Sequence, residues 1–230
     1  MLSNDIVNKW RYERKFVISY LDKHQVESIV KLHPAMFSEI HQERIVNNIY
    51  LDTTSFGNYV DNQIGQNERE KIRIRWYGEI SDMIHTPTLE IKMKYNFLGG
   101  KVNFPLGKIC LAGNIRPFEI QRTIKESKIP DKIKAHLMNH EIKTYNRYSR
   151  RYFISKDEIF RITVDTNLEY VLLSSPYDSL NNKIIDKHNI ILELKYDMAY
   201  ERFAHFITSH LPFRMTKSSK YVNNIEYHMI

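Results

Sequence analysis

Lysines and arginines return again and again on one parity of short segments, with apolar residues on the other. In KIRIRWY, Lys71, Arg73, Arg75 and Tyr77 alternate with Ile72, Ile74 and Trp76; in LEIKMK, Glu90, Lys92 and Lys94 alternate with Leu89, Ile91 and Met93. Successive side chains of a strand point to opposite faces, so a period of two marks a strand with two unlike faces. The same grammar recurs in YERKFVI (Glu13 and Lys15 against Tyr12 and Phe16), RITVD (Arg161 and Asp165 against Ile162 and Val164) and ILELKYD (Glu193 and Lys195 against Leu192 and Leu194). One such strand is an ordinary solvated, salt-bridged face. Five in one chain suggest a shared charged surface.

If the apolar faces pack outward beneath helices, the charged faces turn inward and line a barrel. Two like charges about 4 Å apart repel by roughly 4 kcal/mol at an effective dielectric near 20. Such a lumen must therefore hold water, carboxylates or an anion. Strands are expected near residues 11–19, 44–52, 69–77, 88–94, 101–106, 142–153, 159–168 and 189–196, and helices near 22–33, 117–127, 130–140 and 198–210. Gly99 and Gly100 read as a tight turn. With no repeat, low-complexity tract or long linker, residues 1–230 are expected to form a single α+β domain, a largely antiparallel sheet closing on itself with helices at its flanks.

A net charge of +7 points to a polyanionic partner. Cations spaced two apart on strands suit a compact, phosphate-rich molecule better than the basic helix or tail that meets nucleic acid or membranes. No apolar run approaches the roughly 20 residues that span a bilayer, and the first residues carry no secretory h-region. The one cysteine, Cys110, rules out an internal disulfide, and a reducing, cytoplasmic setting is expected. The ten histidines show neither HExxH nor paired zinc spacing, so none is assigned to metal. Asp52 and Asp165 are expected to orient lumen arginines, and no P-loop, GxGxxG or kinase signature is present.

The ordered set YERKF, NNIYLDT, KIRIRWYG, LEIK, YNRYSRRYF, RITVDTNL, ILELKYD and KSSKY resembles the VTC domain, the polyphosphate polymerase domain of the triphosphate tunnel metalloenzyme (CYTH-like) superfamily. The resemblance implies an antiparallel tunnel of about eight strands that binds a linear triphosphate through basic residues and a divalent metal, Mn2+ or Mg2+, through glutamate. Carried onto this chain, it places substrate contacts on Lys15, Arg73, Arg75, Lys92, the Y-x-R pair Tyr145 and Arg147, Arg161, Lys217, Ser219 and Lys220. The metal falls on Glu193, with Glu13 as a second ligand. Arg73, Arg75, Lys92, Arg147, Arg161 and Lys220 would also stabilise the transferring phosphoryl group. Arg11 stands where the superfamily's E-x-E-x-K signature has its first glutamate, which speaks against a simple triphosphatase or cyclase. The expected activity is transfer of the γ-phosphate of ATP onto polyphosphate. A tripolyphosphatase or nucleoside triphosphatase and a non-catalytic polyphosphate-binding module are the alternatives. ATP, triphosphate or polyphosphate is the expected partner, with no nucleic acid and no transmembrane segment.

Overall fold

The computed structural model describes residues 10–111, 115–173 and 180–229. Its centre is a closed antiparallel ring of β1 (Arg11–Ile18), β2 (Ser38–Thr53), β3 (Glu68–Tyr77), β5 (Thr88–Tyr95), β6 (Leu98–Pro105), β8 (His140–Ile154), β9 (Arg161–Leu172) and β11 (Ile190–Asp197). The order around the ring is β9-β11-β1-β6-β5-β3-β2-β8, and β8 returns to β9. A short β10 (Ile184–Asp186) adds to β9, and β4 (Met83–Ile84) pairs with β7 (Ile109–Cys110). The tunnel expected from strand parity is therefore present, at each predicted strand position.

The apolar parities face outward, as expected. Ile72, Ile74, Trp76, Leu89 and Ile91 lie beneath Ile120 and Ile124 of α3 (Pro117–Glu126) and Ile133 and Leu137 of α4 (Asp131–Leu137). On the opposite side Phe16, Ile18, Ile162, Val164, Leu192 and Leu194 pack against Val26 and Val30 of α1 (Lys23–Lys31) and Ala204 and Ile207 of α5 (Ala204–Ser209). Burying each large aliphatic or aromatic side chain contributes roughly 1.5–3 kcal/mol, so these two outer cores hold the ring and its helices together. Local sequence fixes the helix ends: the Asp22 carboxylate accepts from the Gln25 amide at 2.9 Å and the Gln25 side chain accepts from the Asp22 amide, a capping box that starts α1.

Several local expectations are corrected. The turn between β5 and β6 falls on Asn96, at φ 52°, and Phe97. Gly99 and Gly100 instead lie within β6, paired with Lys94 and Met93. Gly99 also makes the one ladder pair between β6 and β1, opposite Arg11. The helix expected over 198–210 is a 3-10 turn (Met198–Phe203) followed by α5, and α2 (Gly57–Gln63) and α6 (Lys220–Met229) were not foreseen. Asp52 orients no arginine: its carboxylate accepts from the Asn58 and Tyr59 amides at the start of α2 and from the Tyr221 hydroxyl.

The segment leading into α6 runs along β1, where the Thr216 amide donates to the Lys15 carbonyl at 2.8 Å and the Thr216 hydroxyl accepts from the Val17 amide. It delivers Ser219 and Lys220 to the lumen. In β9 a bulge at Asn167, with φ 53°, sets Thr166 opposite Ser149 and Glu169 opposite Arg147. Before the bulge the inward residues are Arg161, Thr163 and Asp165. After it they are Leu168 and Tyr170, which join Val46, Tyr148 and Ile191 in a buried apolar floor packed against Tyr227 of α6.

Candidate functional site

The inward parity, with Lys220 from the start of α6, gathers nine basic side chains and four carboxylates around the lumen. Glu90 receives the Arg73 guanidinium (Nε at 2.8 Å), Lys101 (3.1 Å) and Arg75 (3.6 Å). Glu193 is reached by Lys195 (2.7 Å), Lys15 (3.4 Å), Arg150 (3.5 Å) and Lys220 (3.6 Å). Glu13 holds Lys92 (2.6 Å) and Lys15 (3.3 Å), and Asp165 takes a two-pronged grip from Arg150 and a further contact from Lys220. Lys71 completes the set, its ammonium donating to the Ser219 hydroxyl at 2.7 Å with no carboxylate within 4 Å among the described residues. Arg75 donates to Asn48, which donates to Asn146, so one wall is a relay of fixed dipoles.

Charge state follows from this crowding. Burial alone would raise the Glu193 carboxyl, but Lys195, Lys15, Lys220 and Arg150 together hold it well below the usual range. Glu13 is likewise held low against burial by Lys92, Lys15 and Lys195. Glu90 is held low against burial by Arg73, Arg75 and Lys101. The lysines divide. Lys15 is raised, because Glu193 and Glu13 outweigh the effect of burial. Lys71 is pushed well below its ordinary value by burial and then by Lys15, Lys92 and Arg69. Burial, with Lys15 and Lys195 adding to it, lowers Lys92 despite Glu13. Lys94 is pushed down to about 8 by burial, Arg69 and Lys92. Cations in this lumen outnumber the carboxylates able to neutralise them. A bound polyanion would relieve that imbalance.

Of the residues singled out in the sequence, Lys15, Arg73, Arg75, Lys92, Lys220, Glu193 and Glu13 meet in the lumen, and Ser219 joins them through Lys71. Arg161 sits at the exposed start of β9, and Lys217 is exposed and makes no ion pair among the described residues. Tyr145 and Arg147 are corrected: both lie on the outer face. Tyr145 stacks on Trp76 in the outer core, and Arg147 pairs with Glu79. Strand β8 contains a second Y-x-R, Tyr148 and Arg150, displaced by three residues. An odd displacement reverses the face of a strand, and this pair is the one inside, with the Arg150 guanidinium over the Tyr148 ring at 5.1 Å. Lys71, Lys195 and Asp165 stood on the charged parity in the sequence. Lys101 had no such signal, since β6 is poor in charge.

The residues present fit a divalent cation. Glu13 Oε1 is buried without a hydrogen-bond partner, and Glu13 Oε1 and Glu193 Oε1 both converge on the Lys15 ammonium, at 3.3 and 3.4 Å. The ammonium thus lies between two carboxylates whose hard oxygen donors suit Mg2+ or Mn2+.

Fold and lumen together define a closed antiparallel β-tunnel with a cation-rich interior. A model of the VTC domain matches residues 10–229, and the chain belongs to that family. No curated protein matches it by sequence. Among solved structures it is similar to a candidate adenylate cyclase from Vibrio parahaemolyticus, at 12% identity and TM-score 0.51, covering 93% of this chain and 98% of that one. It is also similar to a protein from Pyrococcus horikoshii OT3, at 11% identity and TM-score 0.52, with 94% and 99% covered. A third is a candidate adenylyl cyclase from Hippeastrum in which triphosphatase activity dominates, at 11% identity and TM-score 0.51, with 94% and 96% covered. These likenesses concern the fold. No helix among the described residues is long and apolar enough to cross a membrane.

Proposed function

We propose that this chain is a metal-dependent phosphotransferase that handles linear triphosphates, taking the γ-phosphate of ATP onto a phosphate or polyphosphate acceptor. The observation that carries the reading is the unneutralised lumen, above all Lys71, a lysine with only a hydroxyl for partner among the described residues and a pKa depressed by burial and its neighbours. A triphosphate brings several negative charges into that space. Phosphoryl transfer needs little covalent chemistry from a protein and much positioning and charge stabilisation. Arg73, Arg75 and Arg150 offer planar forks for phosphate oxygens, and Lys15, Lys71, Lys92 and Lys220 offer point charges.

Glu13 and Glu193 would hold a divalent ion, which would supply Lewis-acid stabilisation of the charge that develops on the transferring phosphoryl group. The chain's own residues would keep donor and acceptor in line, and the acceptor oxygen attacks the γ-phosphorus as the bond to the ADP leaving group breaks. The apolar floor, with Tyr221 and Tyr227 of α6 packed against inward residues, fills part of the lumen, and substrate and product are expected to use the charged remainder.

Hydrolysis is the competing outcome of the same site, water replacing the phosphate acceptor. Incubation of the purified protein with ATP and Mn2+, with products resolved by gel and by phosphate release, tests the proposal. Polyphosphate supports it, free phosphate alone makes the chain a hydrolase, and unchanged ATP with tight tripolyphosphate binding makes it a binding module.

A further inference from the structure

Outside the barrel, a buried carboxylate stands on the apolar parity of β3. Glu70 precedes Ile72, Ile74 and Trp76 on the outer face, and its side chain is 8% exposed. There it meets two histidines from the junction of α4 and β8. His136 Nε2 lies 2.7 Å from Glu70 Oε1, and His140 Nε2 lies 3.8 Å from the same atom. The second oxygen, Glu70 Oε2, is buried without a hydrogen-bond partner. Burying a carboxylate oxygen unpaired costs free energy that the contact at Oε1 does not return.

We propose that Glu70, His136 and His140 form a transition-metal site on the outer wall of the barrel, separate from the lumen, that takes Zn2+ or a divalent ion of similar preference. One donor atom from each residue lies within 4.8 Å of the others. Tetrahedral zinc with bonds of about 2.0–2.1 Å sets its donors about 3.3–3.4 Å apart, so side-chain adjustments of an ångström or so assemble the site. The orientation needed is already fixed at His140, whose Nδ1 faces the His136 carbonyl at 3.0 Å. An N–H donated there leaves Nε2 with its lone pair toward Glu70, the arrangement typical of ligating histidines. The two histidines stand four residues apart, one in the last turn of α4 and the other the first residue of β8, a spacing outside the HExxH and paired zinc patterns sought in the sequence. Two imidazoles and a carboxylate leave a fourth position, and His136, partly exposed, gives that position access to water. A metal there would tie α4 and the start of β8 to β3, pinning the helical cover to the wall.

The test uses the full chain stripped with a chelator and titrated with Co2+ as a spectroscopic stand-in, then with Zn2+, followed by X-ray absorption of the loaded protein to count nitrogen donors. The wild type is expected to bind Co2+ with the strong visible bands of a four-coordinate site, to yield it to Zn2+ with a rise in melting temperature, and to show two imidazole donors. His136→Ala and His140→Gln are expected to lose that signal while still binding tripolyphosphate. Glu193→Gln should keep it, because Glu193 lies in the lumen and supplies none of the three donors. A bound ion with oxygen donors alone, or unchanged Co2+ spectra in His136→Ala, would overturn the proposal and leave Glu70 and His136 as an ion pair. If His140→Gln does not fold, the wild-type donor count decides the question by itself.

Discussion

Replacing Lys71 by methionine separates binding from stability in opposite directions. The ammonium is surrounded by cations, donates only to the Ser219 hydroxyl at 2.7 Å, and has a depressed pKa caused first by burial and then by Lys15, Lys92 and Arg69. A lysine whose folded-state pKa lies below its unfolded value is a cost while it stays protonated. That cost is present below the folded pKa and disappears as pH rises toward the unfolded value near 10.4. Below the unfolded value Lys71→Met therefore removes the cost of burying or discharging the ammonium, with little change in volume, and Ser219 keeps its contact with the Val222 amide. Each 1 kcal/mol recovered raises the melting temperature of a domain this size by about 2–4 °C. Loss of one charge-assisted phosphate contact, about 1.5–3 kcal/mol, should weaken tripolyphosphate binding by about 10–150-fold. Arg73→Ala supplies the contrast: it strips Glu90 of its closest partner, leaves Lys101 at 3.1 Å and Arg75 at 3.6 Å, and should cost about 1–3 kcal/mol of stability. Calorimetric titration and thermal melts of the two variants are the assay. A Lys71→Met protein that melts lower and binds tripolyphosphate as tightly as the parent would refute the idea of a lumen short of negative charge.

Arg147→Ala should leave tripolyphosphate affinity within about twofold, since surface ion pairs contribute about 0–1 kcal/mol, whereas Arg150→Gln should abolish tight binding; equal losses in titrations of both would contradict the assignment of inner and outer faces. Glu193→Gln should lower the melting temperature, because four cations lose a shared carboxylate, and should cut turnover of ATP with Mn2+ while anion binding in chelator holds or tightens; full turnover removes Glu193 from the metal site. Anion binding should take up protons above pH 7.5, because Lys94, pushed down to about 8, is recharged beside a phosphate. Affinity should then fall as pH rises through that value, and calorimetry in buffers of different ionisation enthalpy reads the uptake; no buffer dependence would exclude it.

The ring of strands and its charged interior were legible because period-two alternation reports directly on which side chains share a face. Helix α2 was hidden because its seven residues, GNYVDNQ, carry no apolar stripe and it is begun instead by the carboxylate of Asp52, which lies back at the end of β2. Helix α6 was missed because its apolar residues serve the inside of the barrel, where Tyr221 stacks on Tyr50, and not an outer core. The wrong choice between the two Y-x-R pairs has a simple cause. Both fit the same residue pattern, and only the register of β8 against β2 separates them, with Tyr148 opposite Val46 and Tyr145 opposite Ile49. Glu70 was legible as an oddity, a carboxylate on an apolar parity, but its partners come from the end of α4 and the start of β8, more than sixty residues away in the chain.

The bulge at Asn167 gives β9 something like a reading frame. Up to that residue odd positions belong to the lumen, and beyond it even positions do, so a single strand supplies Asp165 to the charged wall and Tyr170 to the greasy floor. Removing one residue between Arg161 and Asp165 would present Val164 to the anions and bury a carboxylate among the aliphatics of the outer core, though no side chain had been exchanged for a worse one. Relatives of this chain should therefore tolerate substitution within these walls far more readily than a change of length, and gaps should accumulate where no strand is keeping count.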